Sequence, residues 1–147
     1  MGTTRTDYIS GDVTVTPAAK VHSVKVENTI SLAASNSVAS DVIQALKIPK
    51  GAFVSKVGIY VSTKEDSTLK GTVGDATADG WIVGPVDFES TGATISNDTD
   101  TGAYHVAGGK LYTADDTIDV TLDANIGNTA IFTVWAEYSI IEAVANA

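Results

Sequence analysis

The chain has 147 residues, a usual length for one domain with its own core, and 44% of them are apolar. It contains no cysteine, which excludes disulfides and thiolate metal sites. The net charge of −9 divides unevenly, +2 over residues 1–56 and −11 over residues 57–147, without any cluster of Lys and Arg, and this argues against direct nucleic-acid binding.

Residues 1–20 are rich in Thr, Gly and Asp, have no helical period, and carry Pro17 just after the alternating Val13–Thr16. They read as an extended N-terminal arm that orders against a neighbour or the body, leaving residues 21–147 as the domain. The stretch Met1–Asp12 lacks a signal-peptide core, and no apolar run approaches the length of a membrane span. A soluble protein made in the cytoplasm, with no membrane partner, is the expectation. Met1-Gly2 with Thr6 fits a myristoylation pattern only loosely, and that reading is set aside.

From Val21 the pattern changes to period-two alternation. Val24, Val26, Ile30 and Leu32 share one parity and Lys25, Glu27 and Thr29 the other, so a strand is predicted, with Asn28 as a bulge or bend. Residues 33–40 are small and polar, a loop. Asp41–Ile48 has a helix-compatible composition, but its shortness and the Pro49-Lys50-Gly51 turn favour a strand with Val42, Leu46 and Ile48 on one face. In Ala52–Ser62, Phe53, Val57, Ile59 and Val61 stand against Val54, Lys56, Gly58 and Tyr60, a second strand across a tight reversal.

Leu69–Val73 and Trp81–Val83 read as short strands, the second ending before Pro85. Residues 89–103 read as a long polar loop. Tyr104–Val106 and Lys110–Tyr112 flank Gly108-Gly109 as a hairpin. Thr117–Leu122 points Ile118, Val120 and Leu122 inward and Asp119 and Thr121 outward. Phe132, Val134, Ala136, Tyr138 and Ile140 line one face of a long last strand, with Ile131 and Trp135 opposite. Eight or nine short strands spaced by roughly ten residues, with turn chemistry between them, predict an all-β fold, an antiparallel β-sandwich or jelly roll. No helix longer than two turns and no internal repeat is expected.

Chemistry-bearing residues are sparse. His22 and His105 read as surface side chains, and nothing provides the close His spacing of a metal site. Asp98-Thr-Asp100-Thr-Gly102 begins like a calcium loop but lacks its later carboxylates, and Asp75-Ala-Thr-Ala-Asp79-Gly80 is sparser; ordinary turns are favoured for both. Asp115, Asp116 and Asp119 read as a solvated strand edge rather than paired acid–base carboxylates. Gly108-Gly109-Lys110 lacks the rest of a phosphate loop. Trp81, Trp135, Tyr60, Tyr104, Tyr112 and Tyr138 are scattered over several strands and read as core or subunit interface before sugar platform. No enzyme function, metal or cofactor is expected.

Four segments, in order, carry a resemblance. Asp41–Val61 contains a strand ending Ile48-Pro49-Lys50-Gly51 followed by a Val-rich strand; Val73–Trp81, Ala107–Val120 and Thr133–Tyr138 follow it. Together they resemble the small virion proteins of tailed bacteriophages over roughly residues 40–138. The resemblance implies a β-sandwich particle protein, often a capsid decoration or cement protein that sits on the head exterior, binds the major capsid protein and bridges capsomers. It implies no catalytic motif and does not reach residues 1–39. On this reading the chain works as a homo-dimer or homo-trimer, and contacts are expected from Arg5, Tyr8, Ile9 and Lys20 of the arm and from Trp135. The alternatives are a tail or baseplate adhesion module binding carbohydrate through exposed aromatics such as Trp81, and a small hydrolase using Asp115 and Asp116.

Overall fold

Apolar–polar alternation builds the strands that meet in the middle of this molecule, and short turn-forming segments connect them. The computed structural model describes residues 23–96 and 102–141. Nine strands are present there: β1 (Val24–Ser31), β2 (Val42–Ile48), β3 (Ala52–Thr63), β4 (Lys70–Gly74), β5 (Ile82–Asp87), β6 (Gly92–Ile95), β7 (Lys110–Leu111), β8 (Asp116–Leu122) and β9 (Ile131–Ile140). One helical turn, α1 (Ala103–Val106), interrupts them.

The strands form two antiparallel sheets. The larger runs β1-β9-β3-β6, with β7 also on β3, and the smaller runs β2-β8-β4-β5. Their facing sides enclose one core in which Trp81, Phe88, Phe132, Ile59, Ile82 and Ile118 are fully buried. The Phe88 and Phe132 rings meet at 5.0 Å between centroids. The architecture is the expected antiparallel sandwich.

β8 follows the sequence pattern for its apolar residues: Ile118, Val120 and Leu122 point inward. In β9, Phe132, Val134 and Ala136 are buried as expected. Elsewhere the chain departs from simple alternation. Asn28 makes no bulge; it pairs in regular register with Val134, and its Nδ2 donates across to the Ala45 carbonyl of β2 at 3.0 Å. The bulge lies instead in β2, between Gln44 and Leu46. It switches parity, so Ala45 and Leu46 are both buried while Val42, expected inside, is 57% exposed. A second irregularity between Val54 and Lys56 does the same in β3, burying Val54 beside Ala52 and leaving Phe53 only half-buried.

β5 runs through Pro85 to Asp87 rather than stopping before it. It can do so because β5 is an edge strand, where a missing N–H breaks no ladder. The polar run from residue 89 is not all loop, since β6 pairs Gly92–Ile95 with Val61–Gly58 of β3. The hairpin expected around Gly108-Gly109 does not form. Residues 103–106 coil into α1, Gly109 N–H closes on the Tyr104 carbonyl at 2.8 Å, and Lys110 and Leu111 pair with Val54 and Phe53. Gly109 suits that corner: its φ is +128°, and a Cβ there would lie 2.6 Å from the Val54 carbonyl oxygen.

Candidate functional site

Two kinds of polar feature stand out, carboxylates buried at the loops and an aromatic patch on an open sheet face. Asp75 follows β4 and has a side chain with no exposure. Its Oδ1 accepts from the Tyr104 hydroxyl at 2.8 Å and the Thr77 N–H at 3.0 Å. Its Oδ2 accepts from Lys110 Nζ at 2.7 Å and the Tyr112 hydroxyl at 3.0 Å. The Trp81 indole N–H donates to the Tyr112 oxygen at 3.2 Å, and the Trp81 and Tyr104 rings meet edge-on at 5.4 Å. Lys110 Nζ lies 4.2 Å from the Tyr104 ring centroid and 4.8 Å from that of Tyr112.

Burial pushes the Asp75 carboxyl up, but Lys110, the Thr77 N–H and the two phenols outweigh it and hold it below its ordinary value. Burial likewise pulls Lys110 down, and Asp75 and Tyr104 more than restore it. Burial, aided by the Asp75 charge, pushes the Tyr112 hydroxyl far up against the opposing Trp81 bond, so Tyr112 stays a donor. Four donors fill both oxygens of Asp75, which leaves no lone pair for a cation. The cluster is a clasp joining the β4–β5 loop, α1 and β7.

Glu65 does similar work between β3 and β4. It is 2% exposed and accepts backbone N–H bonds of 2.9–3.1 Å from Asn128, Thr129 and Ala130, fixing the β8–β9 loop. Burial pushes its pKa up, but these N–H groups outweigh it, so the carboxyl ends below its ordinary range.

The acidic group at 115–119 divides. Asp115 accepts the Lys50 N–H at 2.8 Å, tying the β2–β3 turn to the segment before β8. With Asp116, Lys47, Ile48 and Pro49 it borders a shallow groove of about 600 Å³. Asp119, expected in solvent, is 7% exposed. It pairs with Gly74, over which the β4–β5 loop folds through the Thr72 Oγ1 bond to the Ala78 carbonyl at 2.9 Å. Burial, with Asp116 and Asp75 nearby, raises the Asp119 carboxyl against the Thr117 hydroxyl bond of 2.7 Å. No group of three or more His, Cys, Asp or Glu residues suited to a metal ion occurs among the described residues.

The outward face of the larger sheet carries the aromatic patch. One row across three strands holds Lys25, Glu137 and Lys56; the next holds Glu27, Trp135, Gly58 and Ile95; the third holds Thr29, Thr133, Tyr60 and Ala93. Trp135 lies flat over Gly58, where a Cβ would come within 2.3 Å of the indole. Lys25 Nζ sits 5.2 Å from its ring centroid, and Tyr60 beside it is 46% exposed. Thr29 and Thr133 share a hydroxyl hydrogen bond of 2.8 Å in the third row.

Of the residues expected to make contacts, Trp135 is thus on an accessible sheet face. Arg5, Tyr8, Ile9 and Lys20 lie outside the described residues, as do His22, the whole arm and Asp98–Thr101. Trp81, on which the carbohydrate reading leaned, is completely buried and offers no stacking face. His105 falls in α1 rather than a strand. The Asp75 clasp escaped the sequence reading, although two of the resembling segments, Val73–Trp81 and Ala107–Val120, hold Asp75, Trp81, Lys110 and Tyr112.

These features define a class of protein, a rigid two-sheet antiparallel sandwich whose buried charges brace loops and whose larger sheet leaves an aromatic face open. No protein-family model matches the sequence, and no curated protein matches it. Solved structures do. A chain of the cyanophage Pam1 capsid asymmetric unit superposes with a TM-score of 0.59 at 12% identity, over 82% of this chain and 86% of that one. A chain from the acid-stable capsid of Helicobacter pylori bacteriophage KHP30 gives 0.57 at 16% identity, over 80% and 87%. One from the capsid of Ralstonia phage GP4 gives 0.53 at 13% identity, over 82% and 84%. At such identities the likeness is one of fold.

Proposed function

We propose that this chain is a structural protein of a tailed-phage virion, a capsid decoration (cement) protein that binds the major capsid protein on the head exterior and bridges capsomers. The observation that carries the reading is the two-way match in fold to chains from three phage capsids, each covering at least 80% of this chain and 84% of its counterpart. The strand order supports it: β1-β9-β3-β6 facing β2-β8-β4-β5 reads as the jelly-roll arrangement that recurs in viral capsid domains. A mechanical role is favoured by the buried carboxylates Asp75 and Glu65, whose oxygens are taken up by donors from the chain itself and brace loops.

Trp135, Tyr60 and Ile95 supply the apolar part of a contact surface, and Lys25, Glu27 and Glu137 rim it. Repetition over a symmetric shell lets each contact be modest, since many weak links add by avidity. The test adds purified protein to bare heads and follows co-sedimentation, heat resistance and the position of labelled protein by electron microscopy. Binding over the head surface, a higher melting temperature of the heads, and weakened binding by Trp135→Ala are expected. Folded protein that leaves intact heads bare, or that labels only tails, overturns the proposal.

A further inference from the structure

A sandwich has four edge strands, and exposed edges invite pairing unless something blunts them. Here β5 is blunted by Pro85, and β2 by its bulge and by the Asn28 side chain that occupies the Ala45 carbonyl. β6 has only four residues, and β7, which shares that side of β3, has two. β1 is different. It has eight residues, an unshifted register with β9, no proline, no glycine and no bulge, and among the described residues it pairs with β9 alone. Its outward side chains include Lys25 and Glu27, 55% and 61% exposed and only loosely paired with each other at 3.8 Å.

We propose that β1 is a self-complementary edge at which two copies of this chain join antiparallel about a two-fold axis, so that the larger sheets run on as one. The occupant follows from the charge pattern. A two-fold pairing must keep outer face against outer face, so its centre falls on a residue of β1. Centred on Lys25, two ammonium groups would face each other; centred on Glu27, two carboxylates would. Centred on Val26, Lys25 meets the partner's Glu27 and Glu27 meets the partner's Lys25, two opposite-charge cross-strand pairs at once. Centring on Asn28 sets both charges against neutral residues and gains neither pair. The Val26 register is therefore selected by residues two positions apart on one face. The inference goes beyond head binding and stands or falls without it.

The test is a charge exchange read by analytical ultracentrifugation of the full chain, with circular dichroism confirming that each variant is folded. The unsubstituted chain is expected to be dimeric. K25E and E27K each place like charges opposite one another at both positions, and each weakens self-association by about tenfold or more. Mixed in equal amounts, the two variants regain it as a heterodimer with both pairs restored, and the double exchange K25E/E27K dimerises by itself. Val26→Cys, the one cysteine in the chain, forms a covalent dimer on mild oxidation, because directly opposed residues lie within disulfide reach. A monomeric or trimeric unsubstituted chain overturns the proposal. So do single variants that associate as tightly as the unsubstituted chain, or a mixture that fails to recover association.

Discussion

Replacing Lys110 with Met removes the cation paired with Asp75 and keeps most of the stem that lies over Tyr104 and Tyr112. Losing one partner of a fully buried pair costs about 3–5 kcal/mol. Lys110 is 30% exposed, however, and Asp75 keeps three donors, so about 2 kcal/mol is expected at neutral pH. For a domain of this size that lowers Tm by roughly 4–8 °C. The sign with pH is distinctive. Asp75 titrates below its unfolded value of 3.8 in the native chain, so its contribution is complete above that value and disappears as pH falls through the lower, folded one. With Met at position 110 burial acts without the ammonium, the carboxyl rises, and protonation in acid relieves the variant. The stability gap is therefore widest at neutral pH and shrinks below about pH 5. Urea unfolding at both pH values, followed through the near-ultraviolet signal of buried Trp81, measures it. A gap under about 0.5 kcal/mol at neutral pH, or one that does not change in acid, refutes the idea that Lys110 holds a charged Asp75.

Glu65→Gln loses the charge that the Asn128–Ala130 N–H groups hold and sets its NH₂ against the Asn128 N–H, and should cost about 2 kcal/mol by urea unfolding, with a shallower loss of stability in acid than the native chain. Gly58→Ala places a Cβ 2.3 Å from the Trp135 indole, so the ring must swing off the sheet. Its fluorescence should shift to the red while the far-ultraviolet dichroism stays unchanged, and an unshifted spectrum counts against the flat ring. Asn28→Ala removes the side-chain link from β1 to β2 and should cost about 1 kcal/mol, which a denaturant midpoint resolves at constant slope.

Alternation made the core side of β1, β8 and much of β9 legible, because each presents a regular pleat to one core. It failed in β2 at the register shift after Gln44 and in β3 at the one after Val54, since one inserted residue inverts every later side chain and leaves no local trace in composition. Four residues of β6 were lost in a polar run because an edge strand needs little apolar content. The clasp was hidden by distance: Asp75 meets Tyr104, Lys110 and Tyr112 across 29, 35 and 37 residues. Its pull on Tyr104 also favours α1 over the hairpin that the Gly-Gly pair suggested. The outward place of Trp135 was legible because its parity opposes Phe132 and Val134, while the burial of Trp81 depends on Tyr112, just after β7, and Tyr104 of α1.

The place of β9 between β1 and β3 has a consequence for quality control during synthesis. The strand that bridges the larger sheet is the last described one to leave the ribosome, and its partners β1 and β3 lie near the start of the described residues. A chain stopped short of Ile131 leaves β1 without its only strand partner among the described residues and β3 without its principal one, so the larger sheet and the open face it carries cannot form. Unfinished copies are thereby sorted out by topology alone, at the expense of a search for distant partners that makes the finished chain slow to fold.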